Sequence, residues 1–235
     1  MTKGNLPLRG IRGLPANVPA ARQSLSLYQQ IIHTLRNTCM EEKDTMDLKG
    51  SQTERNLLAA FAGESQARTR YSFFASVAKK EGYEQISGIF QETADNEREH
   101  AQLFFNHLKG GMVEITASYP AGITGTTAAN LMAAAEGEKV EWGTLYPGFG
   151  QVAEKEGLPD VANTFRQVAK VEAYHERRYR KLLEKVEKGT VFKRDAPIRW
   201  KCRNCGYVHE AAGVPLKCPV CAHARAYFEP WAENY

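Results

Sequence analysis

Five glutamates and two histidines occupy the apolar seam of a set of helices, and no other feature constrains this 235-residue chain as tightly. Between Pro159 and Lys188, Phe165, Val168, Glu172, His175, Tyr179, Leu182 and Val186 recur at steps of three and four, which places them on one helical stripe. Upstream, Ile86, Phe90 and Thr93 lead in the same phase to Glu97, His100 and Phe104. Leu57 and Phe61 lead to Glu64 and, two turns later, Tyr71, while Glu138 and Glu141 stand one turn apart on a further segment. An ionised carboxylate buried without a partner costs several kcal/mol. No matching set of lysines or arginines shares the seam, apart from Arg68 near it.

The missing positive charge is therefore expected from metal cations, and oxygen ligands with two imidazoles suit iron or manganese. A single Glu-x-x-His reads as a surface ion pair. Two such pairs in phase with apolar residues, interleaved with single glutamates, read differently. Carboxylate bundles that hold two irons use one Glu from each of two helices and Glu-x-x-His from each of the other two. Glu64, Glu97-x-x-His100, Glu138 and Glu172-x-x-His175 follow that order, and Glu141 is one carboxylate beyond it. Tyr71 reads either as a phenol bonded to a ligand carboxylate or as core packing. Tyr146 is a further candidate for the same role, and His33 and His107 read as ordinary side chains.

Residues 46–190 are expected to form four long helices. Ser51-Gln-Thr-Glu54 opens the first as a capping box, and Gly82 closes it. The second runs from Tyr83 to Lys109 and stops at Gly110-Gly111. After a connection of about 15 residues, the third starts near Thr127, with a bend expected at Pro147. It ends by Gly157, and the fourth runs from Pro159 or Asp160 to Lys188, before Gly189. Short first and last turns with one long crossover predict an all-α four-helix bundle.

Residues 1–45 stand apart. Their first 40 positions hold no acidic residue, and Ser24 caps a short amphipathic piece carrying Leu25, Leu27, Ile31 and Leu35. They read as an N-terminal extension, disordered or partly helical, ahead of a start at Met46; organelle targeting is the alternative. Net charge is +4, of which +3 falls on this extension, so bulk charge excludes a nucleic-acid binder. The longest uncharged run, Ile115–Ala135, carries too many Thr, Gly and Pro residues to span a membrane.

Residues 191–235 lose helical periodicity. Cys202-Arg-Asn-Cys205-Gly206 and Cys218-Pro-Val-Cys221 predict a tetrahedral four-thiolate site that accepts zinc or iron, in a small domain around Trp200, Tyr207 and Phe228. His209 and His223 are not needed, since four thiolates close the site. A redox-active bundle beside it favours iron, which passes single electrons where zinc only holds a fold. With Cys39 standing alone, five cysteines make a poor disulfide framework and indicate a reducing compartment, the cytoplasm.

Over residues 46–235 the chain resembles the rubrerythrins, through AFAGESQARTRY, ETADNEREH, VEAYHERR and WKCRNCGYVHE in this order. The resemblance implies a ferritin-like di-iron bundle followed by a rubredoxin-like iron domain. It also implies a peroxidase that reduces hydrogen peroxide to water in defence against oxidative stress. Two non-haem irons would sit in the bundle. Glu64 would be a terminal ligand of the first, Glu97 and Glu172 would bridge the pair, and Glu138 and His175 would complete the second. His100 and Glu141 would exchange on the first iron as its oxidation state changes. Cys202, Cys205, Cys218 and Cys221 would hold the third iron, fed by a rubredoxin or an NAD(P)H-dependent rubredoxin reductase. A head-to-tail homodimer or larger homo-oligomer is implied as well. A ferroxidase or iron-handling protein is the alternative for the bundle, but it needs no four-cysteine domain. An oxygenase would need a substrate pocket.

Overall fold

The structure, a computed structural model, describes residues 47–234. The extension's expectations (the capped segment after Ser24, Cys39 and the start at Met46) lie outside the described residues. Helix α1 (Gln52–Lys80) starts where Ser51 Oγ accepts from the Glu54 amide at 2.9 Å. The Glu54 carboxylate reaches back to the Gly50 amide at 2.6 Å, one residue before the expected partner of a capping box. Helix α2 (Glu84–His107) returns antiparallel to α1 and ends two residues earlier than expected. Residues 108–126 then cross over without helix or strand, and α3 (Thr127–Val140) begins behind a Thr126 cap. Helix α5 (Pro159–Glu187) completes the bundle. Gly82, Gly157 and Gly189 end α1, the segment before α5, and α5 itself. All three adopt positive φ (+84°, +74° and +61°), a region that costs a side chain about 1–2 kcal/mol.

The third helix departs from the expected bend at Pro147. A π-helical turn, Glu141–Leu145, separates α3 from α4 (Tyr146–Lys155), so the irregularity lies upstream of the proline. Pro147 has no amide to donate, and its ring would press on the carbonyl one α-turn back. The wider turn clears that carbonyl, and the Tyr146 amide bonds Glu141 O, five residues before it.

Two apolar layers fill the bundle. One gathers Tyr71, Phe74, Phe90, Leu131, Tyr179 and Leu182; the other gathers Leu57, Phe104, Tyr146, Phe165 and Val168. Burying each large side chain contributes about 1.5–3 kcal/mol. The seam glutamates and histidines lie on the same helices between these layers. Glu156, in the turn after α4, accepts from the Gln52 and Thr53 amides at 3.1 and 2.9 Å, which ties the start of α1 to that turn. Among the described residues no helix is long and apolar enough to cross a membrane.

The C-terminal residues form a three-stranded antiparallel sheet in the order β2 (Val208–Gly213), β1 (Lys193–Cys202), β3 (Phe228–Pro230). Trp200 and Phe228 are buried in its core with Tyr207 packed against them, and the Trp200 indole donates to Ala211 O at 2.9 Å. The sheet meets the bundle at the start of α2, where Tyr83 stacks on Phe192 at 6.0 Å.

Candidate metal centres

The seam residues converge. Ligand atoms of Glu64, Glu97, His100 and Glu172 lie within 4.8 Å of one another, and so do those of Glu97, Glu138, Glu172 and His175. Glu97 and Glu172 belong to both groups. All six residues are buried. His100 Nδ1 lies 2.8 Å from Glu97 Oε2 and 2.7 Å from Glu172 Oε1. His175 Nδ1 lies 2.8 Å from Glu172 Oε2 and 3.2 Å from Glu97 Oε1. Glu141 stands outside both groups, half-buried at the start of the π turn.

Each outer glutamate is held by a tyrosine from another helix. Tyr71 Oη donates to Glu138 Oε1 at 2.7 Å, and Tyr146 Oη donates to Glu64 Oε1. The two pairs run in opposite senses between α1 and the third helix. Tyr71 follows Glu64 by seven residues, two α-helical turns, whereas Tyr146 follows Glu138 by eight. The residue that the π turn adds brings Tyr146 into phase. That one-residue excess in spacing was the available sign of the π turn.

Several polar atoms at the centre make no well-directed hydrogen bond, close as the imidazoles and carboxylates stand: Glu64 Oε2, Glu97 Oε1, Glu138 Oε2, both oxygens of Glu172, and His175 Nδ1. Buried acceptors of this kind are costly, and here they cluster at one place. Cations satisfy them, so the donor set fits a dinuclear metal site of hard oxygens and imidazoles. Without cations, protons carry the compensation. Burial, then the neighbouring carboxylates, holds Glu64 and Glu138 well above the usual carboxylate range. Burial followed by Glu172 and Glu97 pushes Glu141 up to about 8. Against burial, which lowers them, the close carboxylates of Glu172 and Glu97 push His100 up to about 10 and His175 up to about 9.

The cysteines form a second cluster. All four Sγ atoms lie within 4.8 Å of one another, with Cys202–Cys221 at 3.8 Å and Cys205–Cys218 at 3.6 Å. These separations are far beyond a disulfide bond. A tetrahedron with metal–sulfur bonds of about 2.3 Å has edges of about 3.8 Å, so the cluster fits one tetrahedral ion. The two knuckles repeat one backbone pattern. Gly206 and Ala222 amides bond the carbonyls of Cys202 and Cys218, each at 2.9 Å, and both residues have positive φ. His209 and His223 stand outside the group, while His107 Nε2 pairs with Thr164 Oγ1 at 2.8 Å.

Comparison with known proteins bears on both centres. The family model described as rubrerythrin matches residues 55–183, and that of the rubrerythrin rubredoxin-like domain matches residues 200–229. A rubrerythrin of Porphyromonas gingivalis is 64% identical over 188 residues, covering 80% of this chain and 94% of that protein. A rubrerythrin of Nitratidesulfovibrio vulgaris is 52% identical over 188 residues, covering 80% and 98%. A solved structure of nigerythrin in a mixed-valence state aligns with a TM-score of 0.52 at 30% identity, covering 80% of this chain and 90% of that one. With a ferritin-like helical bundle, a carboxylate–histidine site suited to two irons and a rubredoxin-like four-cysteine site, the chain belongs to the rubrerythrin family.

Proposed function

We propose that this protein is a peroxidase that reduces hydrogen peroxide to water in defence against oxidative stress, using electrons passed through the four-cysteine centre. The observation that carries this reading is the pairing, in one chain, of two overlapping carboxylate–histidine groups with a tetrahedral thiolate cluster. An iron-handling protein would use the first and has no need of the second.

In this reading two irons would be held by Glu64, Glu97, His100, Glu138, Glu172 and His175, with Glu97 and Glu172 common to both ligand groups. Iron bound there would supply the two electrons that reduction of the O–O bond requires. The chain does the rest. Tyr71 and Tyr146 fix the outer carboxylates, and the apolar layers keep bulk water from the centre. Glu141, outside both groups, is the alternative to His100 as a ligand of the first iron. Cys202, Cys205, Cys218 and Cys221 would hold an iron able to pass single electrons from a rubredoxin or an NAD(P)H-dependent rubredoxin reductase.

Arg203, beside Cys202, rests against Gly88 of α2. Gly88 precedes His100 by twelve residues, about 18 Å along the helix at 1.5 Å per residue. That separation supports a homodimer in which each four-cysteine centre serves the partner subunit's di-iron site. Cysteines grouped for a metal rather than for disulfides fit a reducing compartment, the cytoplasm.

The test is the double substitution Cys202→Ser and Cys205→Ser. Turnover coupled to a reductase should be lost, while the chemically reduced bundle should still consume peroxide once. A folded variant that also loses the single turnover would refute the division of labour.

A further inference from the structure

A cavity of about 550 Å³ opens beside the carboxylate centre, between α1, α3, the π turn and the crossover segment around Tyr119. Its space comes from small residues facing one another, Ala59, Ala60 and Gly63 on α1 and Ala133 and Gly137 on α3. Val140, Leu145 and Phe149 add to an apolar lining. Two of its wall residues belong to the centre's surroundings: Glu141, and Tyr146 whose hydroxyl is bonded to Glu64. Arg70 also borders it. Its guanidinium lies over the Tyr71 and Phe74 rings, its Nε has no acceptor, and it forms no ion pair among the described residues.

Hydrogen peroxide is two oxygen atoms and needs only a small part of this volume. A cavity of this size, apolar except for a few polar groups near a reactive centre, has the character of a small-molecule site. We propose that it receives the organic group of an alkyl or aralkyl hydroperoxide, so that the protein reduces organic hydroperoxides as well as hydrogen peroxide. The proposal rests on the peroxidase reading and names a further substrate class for the same centre. The hydroperoxide end points toward Glu141 and Tyr146, and the hydrocarbon lies against the alanines and glycines. The reaction balances as ROOH with two electrons and two protons giving ROH and water. The O–O bond breaks, the electrons come from the di-iron site as they do for hydrogen peroxide, and the protons come from solvent. Arg70 supplies positive charge for the oxygen that departs with the organic group.

Gly63 provides the test. A Cβ there would meet only Tyr119 Cε1, at 4.0 Å, so a larger side chain enters the cavity without striking the bundle. The full-length, metal-loaded protein is compared with Gly63→Leu, and with Ala59→Leu one turn away in case the first substitution disturbs its neighbour Glu64. Binding is read in the oxidised protein by saturation-transfer NMR with 2-phenylpropan-2-ol, the unreactive product of cumene hydroperoxide. Turnover is read as re-oxidation of the reduced protein by cumene hydroperoxide or by hydrogen peroxide.

The alcohol should bind the wild type, and filling the cavity should weaken that binding roughly tenfold and slow cumene hydroperoxide by a similar factor. Hydrogen peroxide should keep its rate within about twofold. A wild type that reacts with hydrogen peroxide yet neither binds the alcohol nor reacts with cumene hydroperoxide overturns the proposal, as it would if a second copy covered the cavity. Equal slowing of both peroxides in both variants overturns it too. If neither peroxide re-oxidises the wild type, the peroxidase reading itself fails and this inference falls with it.

Discussion

Tyr71 on α1 donates its phenolic hydrogen bond to Glu138 on α3, and so fixes from one helix the carboxylate of another. Removing that hydroxyl leaves a buried acceptor without its donor, a loss of about 1–3 kcal/mol. Tyr71→Phe should therefore fold less stably. It should also bind its second metal roughly 10–100-fold more weakly, because an outer partner orients the ligand. Tyr146→Phe should do the same to the first metal through Glu64. Metal titration of each variant checks this; unchanged affinity in both would leave the tyrosines as packing alone.

The metal-free bundle should weaken as pH rises. His100 and His175 titrate near 10 and 9 in the folded chain, above the usual value near 6.5, so their stabilisation is complete below about pH 6.5 and is lost through about pH 9–10. Glu141, raised to about 8, and the raised Glu64 and Glu138 act in the same direction, because each must be ionised against its surroundings as pH climbs. Metal affinity has the opposite sign, since ligands must shed protons to bind. Denaturant midpoints of chelator-treated protein, followed by helical circular dichroism, should fall across this range. A midpoint that rises would refute the proton compensation.

Glu141→Ala tests the ligand assigned to exchange. His100 lies within the first group and Glu141 outside it, so the variant should still bind two ferrous ions. A ferric ion carries an extra charge and favours the carboxylate over neutral imidazole, so the variant should hold its oxidised form poorly and turn over more slowly. Structures of oxidised and reduced protein with identical ligands in both would sink the exchange.

The residue after the second cysteine of each knuckle has positive φ in both but differs in side chain. Gly206 has φ +79° and Ala222 has φ +59°. Gly206→Ala should cost about 1–2 kcal/mol in the C-terminal domain. Ala222→Gly should change its stability by less than about 1 kcal/mol, because relief of strain is offset by added unfolded-state freedom. Thermal bleaching of the metal–thiolate absorption would measure both.

Much of this was legible in the chain because periodicity and ligand chemistry point the same way. A glutamate in phase with Phe90 and Phe104, or with Phe165 and Tyr179, has to be buried once the helix packs. The knuckles announce themselves because two Cys-x-x-Cys pairs separated by 12 residues have few other uses. The π turn was less visible. Pro147 marked the right helix, but the ring relieves its clash upstream, and only the eight-residue step from Glu138 to Tyr146 hinted at where. The acceptors of Tyr71 and Tyr146 lie 67 and 82 residues away in sequence, so helix phase alone could not assign them. The cavity depends on small residues of two helices facing each other, a relation that a periodic pattern along one helix does not contain.

The sharing of Glu97 and Glu172 between two ligand groups bears on how the centre fills. Four buried carboxylates bring four negative charges, and two divalent ions cancel them. One ion leaves half that charge inside the protein, to be met by protons on groups that are better used as ligands. The first ion also orders the two shared carboxylates for the second. Loading is therefore expected to follow a steep, cooperative isotherm with a thin singly occupied population. When iron is scarce, the protein pool would divide into fully charged and empty molecules rather than half-filled ones.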